Sequence, residues 1–295
     1  MEVSTLPVQT RVLAVALRVS NLEQSLAFYK NLVGFSEIHR EDGDAWLSAS
    51  GDPPSLIHLS EMPGARPRPQ RSTGLYHVAV RLPSEKALGR LLNRLMDQEW
   101  PLQGAADHGV SQAVYTADPD DNGLEFYADR PRETWRVAGG VIQMVTDPLK
   151  MSAGLDSGLH DDNPWEGIHP ATDIGHVHLQ VSDLARARAF YHDALGLDVT
   201  QESYPGALFL SAGGYHHHLG LNTWAGAGAP PPPPDAVGMI SFTLGIPDLG
   251  ALDAAAARLK ASGAHVEAEE GGWLARDPDG VILELALLPE VTMTT

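Results

Sequence analysis

No cysteine occurs among the 295 residues. That absence removes disulfides, thiolate nucleophiles and Cys-held zinc or iron–sulfur centres, so any metal must rest on His, Asp or Glu. Basic residues are scarce too: 20 Lys and Arg face 38 Asp and Glu, for a net charge of −18. Proteins bind phosphate backbones through Lys and Arg that displace counterions, so nucleic acid and acidic polymers are excluded as expected partners. No apolar run approaches the roughly 18–20 residues that cross a bilayer. The start of the chain, with Glu2 and no basic-then-apolar run, does not read as a signal peptide. The expectation is a cytoplasmic protein with no membrane partner. What the chain does have is 43% apolar content, a length that favours two domains, and 13 histidines.

An internal repeat organises the chain. VLAVALRV at 12–19 reads as a strand, and NLEQSLAFYKNLVGF at 21–35 reads as a helix that Asn21 can cap and Gly34 stops. The same grammar returns in HVHLQVSDLARARAFYHDALGL at 176–197. Asn21 and Asp183, Phe28-Tyr29 and Phe190-Tyr191, and Gly34 and Gly196 all stand 162 residues apart. A weaker unit, GLYHVAVRLP at 74–83 followed by a helix and QAVYTADPDDNGLEFYAD, returns about 164 residues later, ending in ARDPDGVILELAL. The fold class expected is α+β: four βαβββ modules near 11–60, 74–128, 174–224 and 238–288, forming two incomplete β-barrels. In chain order this divides into a first domain at 11–129, a connecting segment at 130–173 and a second domain at 174–289. A connection of that length is too long for a turn and can reach across a domain. The Pro230–Pro234 run lacks amide donors and is expected to be a stiff spacer.

Metal-ligating candidates cluster unevenly among the modules. Glu125 and Glu284 each stand seven residues after the Asp of a DPD turn, Asp118 and Asp277. The second module's first strand carries His77, where the fourth module has about Ser241. The third module's first strand carries His176 and His178, where the first has Ala14. His77, Glu125 and His176 thus make a two-His, one-carboxylate set, which suits Fe(II) or Mn(II) and leaves adjacent positions open for a substrate and dioxygen. They converge within one chain only if the second and third modules share a barrel, and the long connection permits that pairing.

The segments VSDLARARAFYHDALGL, GLYHVAV, DPDDNGLEFYADRP and SAGGYHHHLGLNTW resemble the vicinal oxygen chelate superfamily, which joins glyoxalases, bleomycin-resistance proteins and extradiol dioxygenases. The likeness is strongest to its catechol 2,3-dioxygenase-like branch and covers nearly the whole chain. It implies the glyoxalase/extradiol dioxygenase fold and a ring-cleaving dioxygenase that acts on a small catechol-type substrate with O2. By similarity His176, His77 and Glu125 match the family's Fe(II) ligands. Tyr115, ten residues before Glu125, matches a tyrosine that hydrogen-bonds the substrate. His217 matches an acid–base histidine that helps deprotonate the diol and later returns a proton. Extradiol dioxygenases usually gather these ligands in their last two modules, whereas here the fourth offers Ser241 and Leu274 in those places.

Plainer readings stand beside these. A lone strand histidine is more often structural than a ligand, and Glu125 could be a rim carboxylate paired with Arg130. Tyr115 could simply pack. The HHH run at 216–218 is read as strand, so that His217 faces away from its neighbours and at least one of the three is structural. His178 shares a face with His176 and could replace or orient it. His58, His108 and His169 show no evident partner. Two other functions compete: a glyoxalase-like isomerase or lyase using Zn(II) or Ni(II), which needs a second carboxylate, and a metal-free binding protein. Open sheet edges of this kind can also pair into a homodimer.

Overall fold

The computed structural model describes residues 5–139 and 141–289, and its sheets join modules that are not neighbours in sequence. One sheet has eight strands in the order His265–Glu269, Gly272–Arg276, Ile282–Leu287, Gly238–Ile246, Arg11–Val19, Ile57–Glu61, Asp44–Ser48 and Ser36–Glu41. It combines the fourth and first modules. The other has nine, in the order Asp147–Pro148, Gly104–Asp107, Ser111–Ala117, Gly123–Asp129, Gly74–Leu82, Asp173–Gln180, Leu219–Asn222, Ala207–Ser211 and Asp198–Gln201. It combines the second and third. Each is a curled, incomplete barrel whose seam is an antiparallel pair of first strands, Arg11–Val19 with Gly238–Ile246 and Gly74–Leu82 with Asp173–Gln180.

Alternation along a strand separates core from site. In Gly74–Leu82, Val78, Val80 and Leu82 join the hydrophobic core, while His77, Ala79 and Arg81 take the opposite face. The core is continuous across all four modules. Sequence neighbours are latched by the FY helices: the Tyr29 hydroxyl donates to Asp118 Oδ2 and the Tyr191 hydroxyl to Asp277 Oδ2, both at 3.0 Å. The sequence pattern of FY and DPD in every repeat is therefore a buried tyrosine–aspartate pair holding one module's helix to the next module's turn.

Two local expectations are corrected. The helix read over 21–35 is an α-helical turn at Leu22–Leu26 that widens to a π-helix at Ala27–Leu32, and Ala189–Ala194 repeats the widening. An extra residue per turn of this kind re-aims side chains. The HHH run is not strand; the strand begins after it, at Leu219. The connecting segment has structure of its own. It carries the Ala153–Leu159 helix, packed closely on Glu85–Asp97, where a Cβ at Gly158 would overlap the Lys86 carbonyl and one at Gly89 the Leu155 carbonyl. It then leads into Asp173–Gln180, the seam strand in the middle of the nine-stranded sheet. No described helix is long and apolar enough to cross a membrane.

Candidate metal centre

The seam of the nine-stranded sheet brings the sequence candidates together. Across neighbouring strands Tyr115 pairs with Glu125, Glu125 with Ala79, and Ala79 with His176, while His77 faces His178. Ala79 contributes only a methyl to this row, which leaves open the space that the longer side chains enter. His77 Nε2 lies 3.0 Å and His176 Nε2 3.2 Å from the same oxygen, Glu125 Oε2. One ligand atom from each of His77, Glu125 and His176 lies within 4.8 Å of the others, and all three residues are buried. Glycine makes room nearby: a Cβ at Gly175 would overlap the Tyr127 hydroxyl, and one at Gly123 would overlap the Tyr76 carbonyl.

The residues present fit a divalent cation. His77 Nε2 is buried, has no hydrogen-bond partner among the described residues, and points at a carboxylate oxygen that His176 Nε2 also approaches. Each imidazole nitrogen meets the carboxylate oxygen either through its own proton or through a shared cation, and a cation between the three atoms satisfies all of them at once. Burial alone would raise the Glu125 carboxyl, but the facing His176 and His77 hold it well below the usual carboxylate range. Burial lowers the His176 imidazole to about 4 against the pull of Glu125, so it is a neutral nitrogen donor at neutral pH. Arg130 pairs with Asp107 at 2.7 Å and not with Glu125, which removes the rim-carboxylate reading.

Around the triad lies a cavity of about 470 Å³ lined by Tyr115, His108, His178 and His217 among others. Hydrogen-bond directions fix two of these. Asp129 Oδ1 lies 3.0 Å from His216 Nε2, and a carboxylate only accepts, so His216 carries its proton there. Its Nδ1 is then the lone pair that accepts from His217 Nδ1 at 2.8 Å. His217 is left with an unprotonated Nε2 on a ring that lines the cavity and stands 4.0 Å, centroid to centroid, from His176. Asp129 is held ionised: burial opposes this, but His216, Arg81 and the Tyr215 hydroxyl outweigh it and lower its carboxyl below the usual range. On the other side His108 Nδ1 donates to the Val145 carbonyl at 2.8 Å, so its Nε2 accepts from the Tyr115 hydroxyl at 2.6 Å. The Tyr115 proton is thereby committed, and its oxygen offers lone pairs.

The remaining histidines separate cleanly. His178 Nε2 accepts from the Asn222 amide at 3.0 Å and lies across Gly220, where a Cβ would come within 2.8 Å of the ring. It orients the site's edge and is not in the triad. His218 Nδ1 accepts from the Ala212 amide at 3.2 Å, a structural role. His58 pairs with Asp44 at 2.7 Å in the other sheet. The partner of His108, Val145, sits in the connecting segment, beyond any local sequence pattern. Asp129 carried a usable signal: it stands four residues after Glu125 on the same strand, hence on the same face.

A fold of two curled, module-swapped sheets with a two-His, one-carboxylate cluster in one of them defines a class, and sequence comparison agrees. Residues 11–126 and 173–285 match the Glyoxalase/Bleomycin resistance protein/Dioxygenase superfamily, and the chain belongs to it. A relative from Bacillus subtilis (strain 168) named catechol-2,3-dioxygenase is 44% identical over 266 residues, covering 89% of this chain and 92% of the relative. Among solved structures, one from Bacillus subtilis subsp. subtilis str. 168 aligns over 97% of this chain and 87% of its own with a TM-score of 0.66 and 13% identity. Glyoxalase I from Zea mays aligns over 95% of this chain and 92% of its own with a TM-score of 0.57 and 17% identity. These two speak to the fold alone.

Proposed function

We propose that the chain is an extradiol ring-cleaving dioxygenase acting on a catechol-type diol, with Fe(II) held by His77, His176 and Glu125. The observation that carries this reading is the meeting of three ligand atoms within 4.8 Å on the wall of a cavity that also presents Tyr115 and His217. The named relative at 44% identity supports the same chemistry. Fe(II) bound there supplies a Lewis-acidic, redox-active centre with open positions for the diol and dioxygen. The protein's own work is proton handling and exclusion of water. Tyr115, its hydroxyl proton engaged in the hydrogen bond to His108, accepts a hydrogen bond from one substrate hydroxyl and orients the ring. His217 Nε2 takes the other hydroxyl's proton, with Asp129 and His216 stabilising the imidazolium that results, and returns it when the ring opens. Burial lowers the His217 imidazole well below its ordinary value, with the neighbouring His176 and His216 adding to it, so it starts each cycle unprotonated.

A glyoxalase-like reaction on Zn(II) or Ni(II) calls for a second carboxylate, and Glu125 is the one carboxylate lining the cavity among the described residues. The donor set of two nitrogens and one oxygen suits Fe(II) or Mn(II) equally by geometry. A metal-free binding protein has no use for a buried, unpartnered His77 Nε2. Anaerobic loading with Fe(II), followed by catechol and air, tests the proposal through the absorbance of the yellow ring-opened semialdehyde. Colour formation that requires iron is expected; an iron-loaded protein that leaves catechol and substituted catechols intact would sink it.

A further inference from the structure

The cavity is larger than the diol its chemistry needs. A single-ring diol has eight heavy atoms; even granted the roughly 30 Å³ that a water molecule occupies in the liquid, each, it fills about half of a cavity of about 470 Å³. The unfilled half has a defined character. Tyr76, Tyr204 and Trp224 line the cavity yet remain 40%, 39% and 44% exposed, so they stand at its mouth. Tyr76 and Trp224 meet edge to face at 5.4 Å, and Tyr204 and Trp224 rings lie 6.2 Å apart. Large apolar surfaces left open beside a pocket mark a binding surface.

This grouping is built into the backbone. His178 pairs with His77 and Leu179 with Leu75, so Tyr76 is the extra residue of a β-bulge. A bulge re-aims the side chain it adds, and here it turns Tyr76 from the core face toward the cavity. Trp224 is fixed by its indole N–H on the Pro205 carbonyl at 3.2 Å and its backbone N–H on Asn222 Oδ1 at 3.0 Å. The same Asn222 holds His178, beside the triad. The mouth is thus rigidly tied to the centre. No lysine, arginine or aspartate lines the cavity among the described residues, and its one glutamate, Glu125, faces His77 and His176, so no charged side chain is left for a charged substituent.

We propose that Tyr76, Tyr204 and Trp224 form an aromatic subsite for an uncharged, ring-bearing substituent on the diol. Resting on the dioxygenase reading above, this makes aryl-substituted catechols the preferred substrate class, ahead of catechol and of carboxylate-bearing catechols. Edge-to-face rings add to simple apolar burial, enough for about a tenfold preference.

The test is anaerobic calorimetry of the Fe(II)-loaded protein with catechol, 3-phenylcatechol, 4-phenylcatechol and 3,4-dihydroxybenzoate, followed by admission of air and product analysis. One phenylcatechol should bind at least tenfold tighter than catechol, and 3,4-dihydroxybenzoate weaker than catechol. Trp224→Ala should bring the phenylcatechol-to-catechol ratio toward one, while Trp224→Phe, which keeps a ring, retains most of it. Equal binding of catechol and both phenylcatechols, or an unchanged ratio in Trp224→Ala, overturns the subsite. Tight phenylcatechol binding with no ring-opened product in air would uphold the subsite and refute the dioxygenase reading instead.

Discussion

The two sheets share one backbone plan and differ in the side chains at four matched positions. In both, a glutamate sits opposite a first-strand residue: Glu125 against Ala79, and Glu284 against Thr243. The residue across from that partner is His176 in one sheet and Ala14 in the other; His77 corresponds to Ser241, and Tyr115 to Leu274. Glu284 accepts hydrogen bonds from Ser241 at 2.7 Å and Thr243 at 2.8 Å and remains half-buried. The two hydroxyl donors satisfy it, so it needs no cation. Glu125 is buried against two imidazoles and has no such donor pair. One fold thus carries a structural carboxylate and a candidate ligand at equivalent places, and the difference is whether neutral donors reach the carboxylate first.

The comparison can be broken most sharply at His77. His77→Ala should abolish stoichiometric iron binding and lower ring-cleaving activity at least about 1000-fold, as removal of a catalytic metal should, with the fold retained by circular dichroism. Next in size is Asp129→Asn, which permits the opposite proton arrangement along His216 and His217. A loss in kcat of about 100-fold or more is expected, the scale of general acid–base catalysis, with iron content unchanged. The same variant has a pH signature. The Asp129 carboxyl is held below its usual range in the folded chain, so its contribution to stability is present above that range and fades as pH falls through it. The gap in Tm between the parent and Asp129→Asn should be widest near neutrality and close in acid. Gly175→Ala should cost about 1–3 kcal/mol of stability through overlap with the Tyr127 hydroxyl, measured by denaturant unfolding; in the other sheet the matched bulge position is held by Leu13. Converting the second sheet with Ala14→His, Ser241→His and Thr243→Ala should sharpen the contrast by adding a weaker second iron per chain, counted by metal analysis.

Much of this was legible beforehand because it is written in repeats and periods. The 162-residue register exposed the modules, and comparing matched positions set His77 and His176 against Ser241 and Ala14, which pointed to one sheet. What escaped depends on distance in sequence. His108 acquires meaning only when the connecting segment brings Val145 beside it, and His216 only when Asp129 arrives from another module. Reading the HHH run as strand misassigned its alternation, because the chain turns before the strand starts. The bulge at Tyr76 breaks the period-2 rule itself, which would have put that ring in the core.

The most direct test of the account is iron bound per chain after anaerobic Fe(II) reconstitution of the parent, Glu125→Gln and Glu284→Gln, side by side. One iron in the parent and in Glu284→Gln, with none in Glu125→Gln, is the predicted result. Iron retained by Glu125→Gln, or lost from Glu284→Gln, would contradict the assignment of the centre to the sheet shared by the second and third modules.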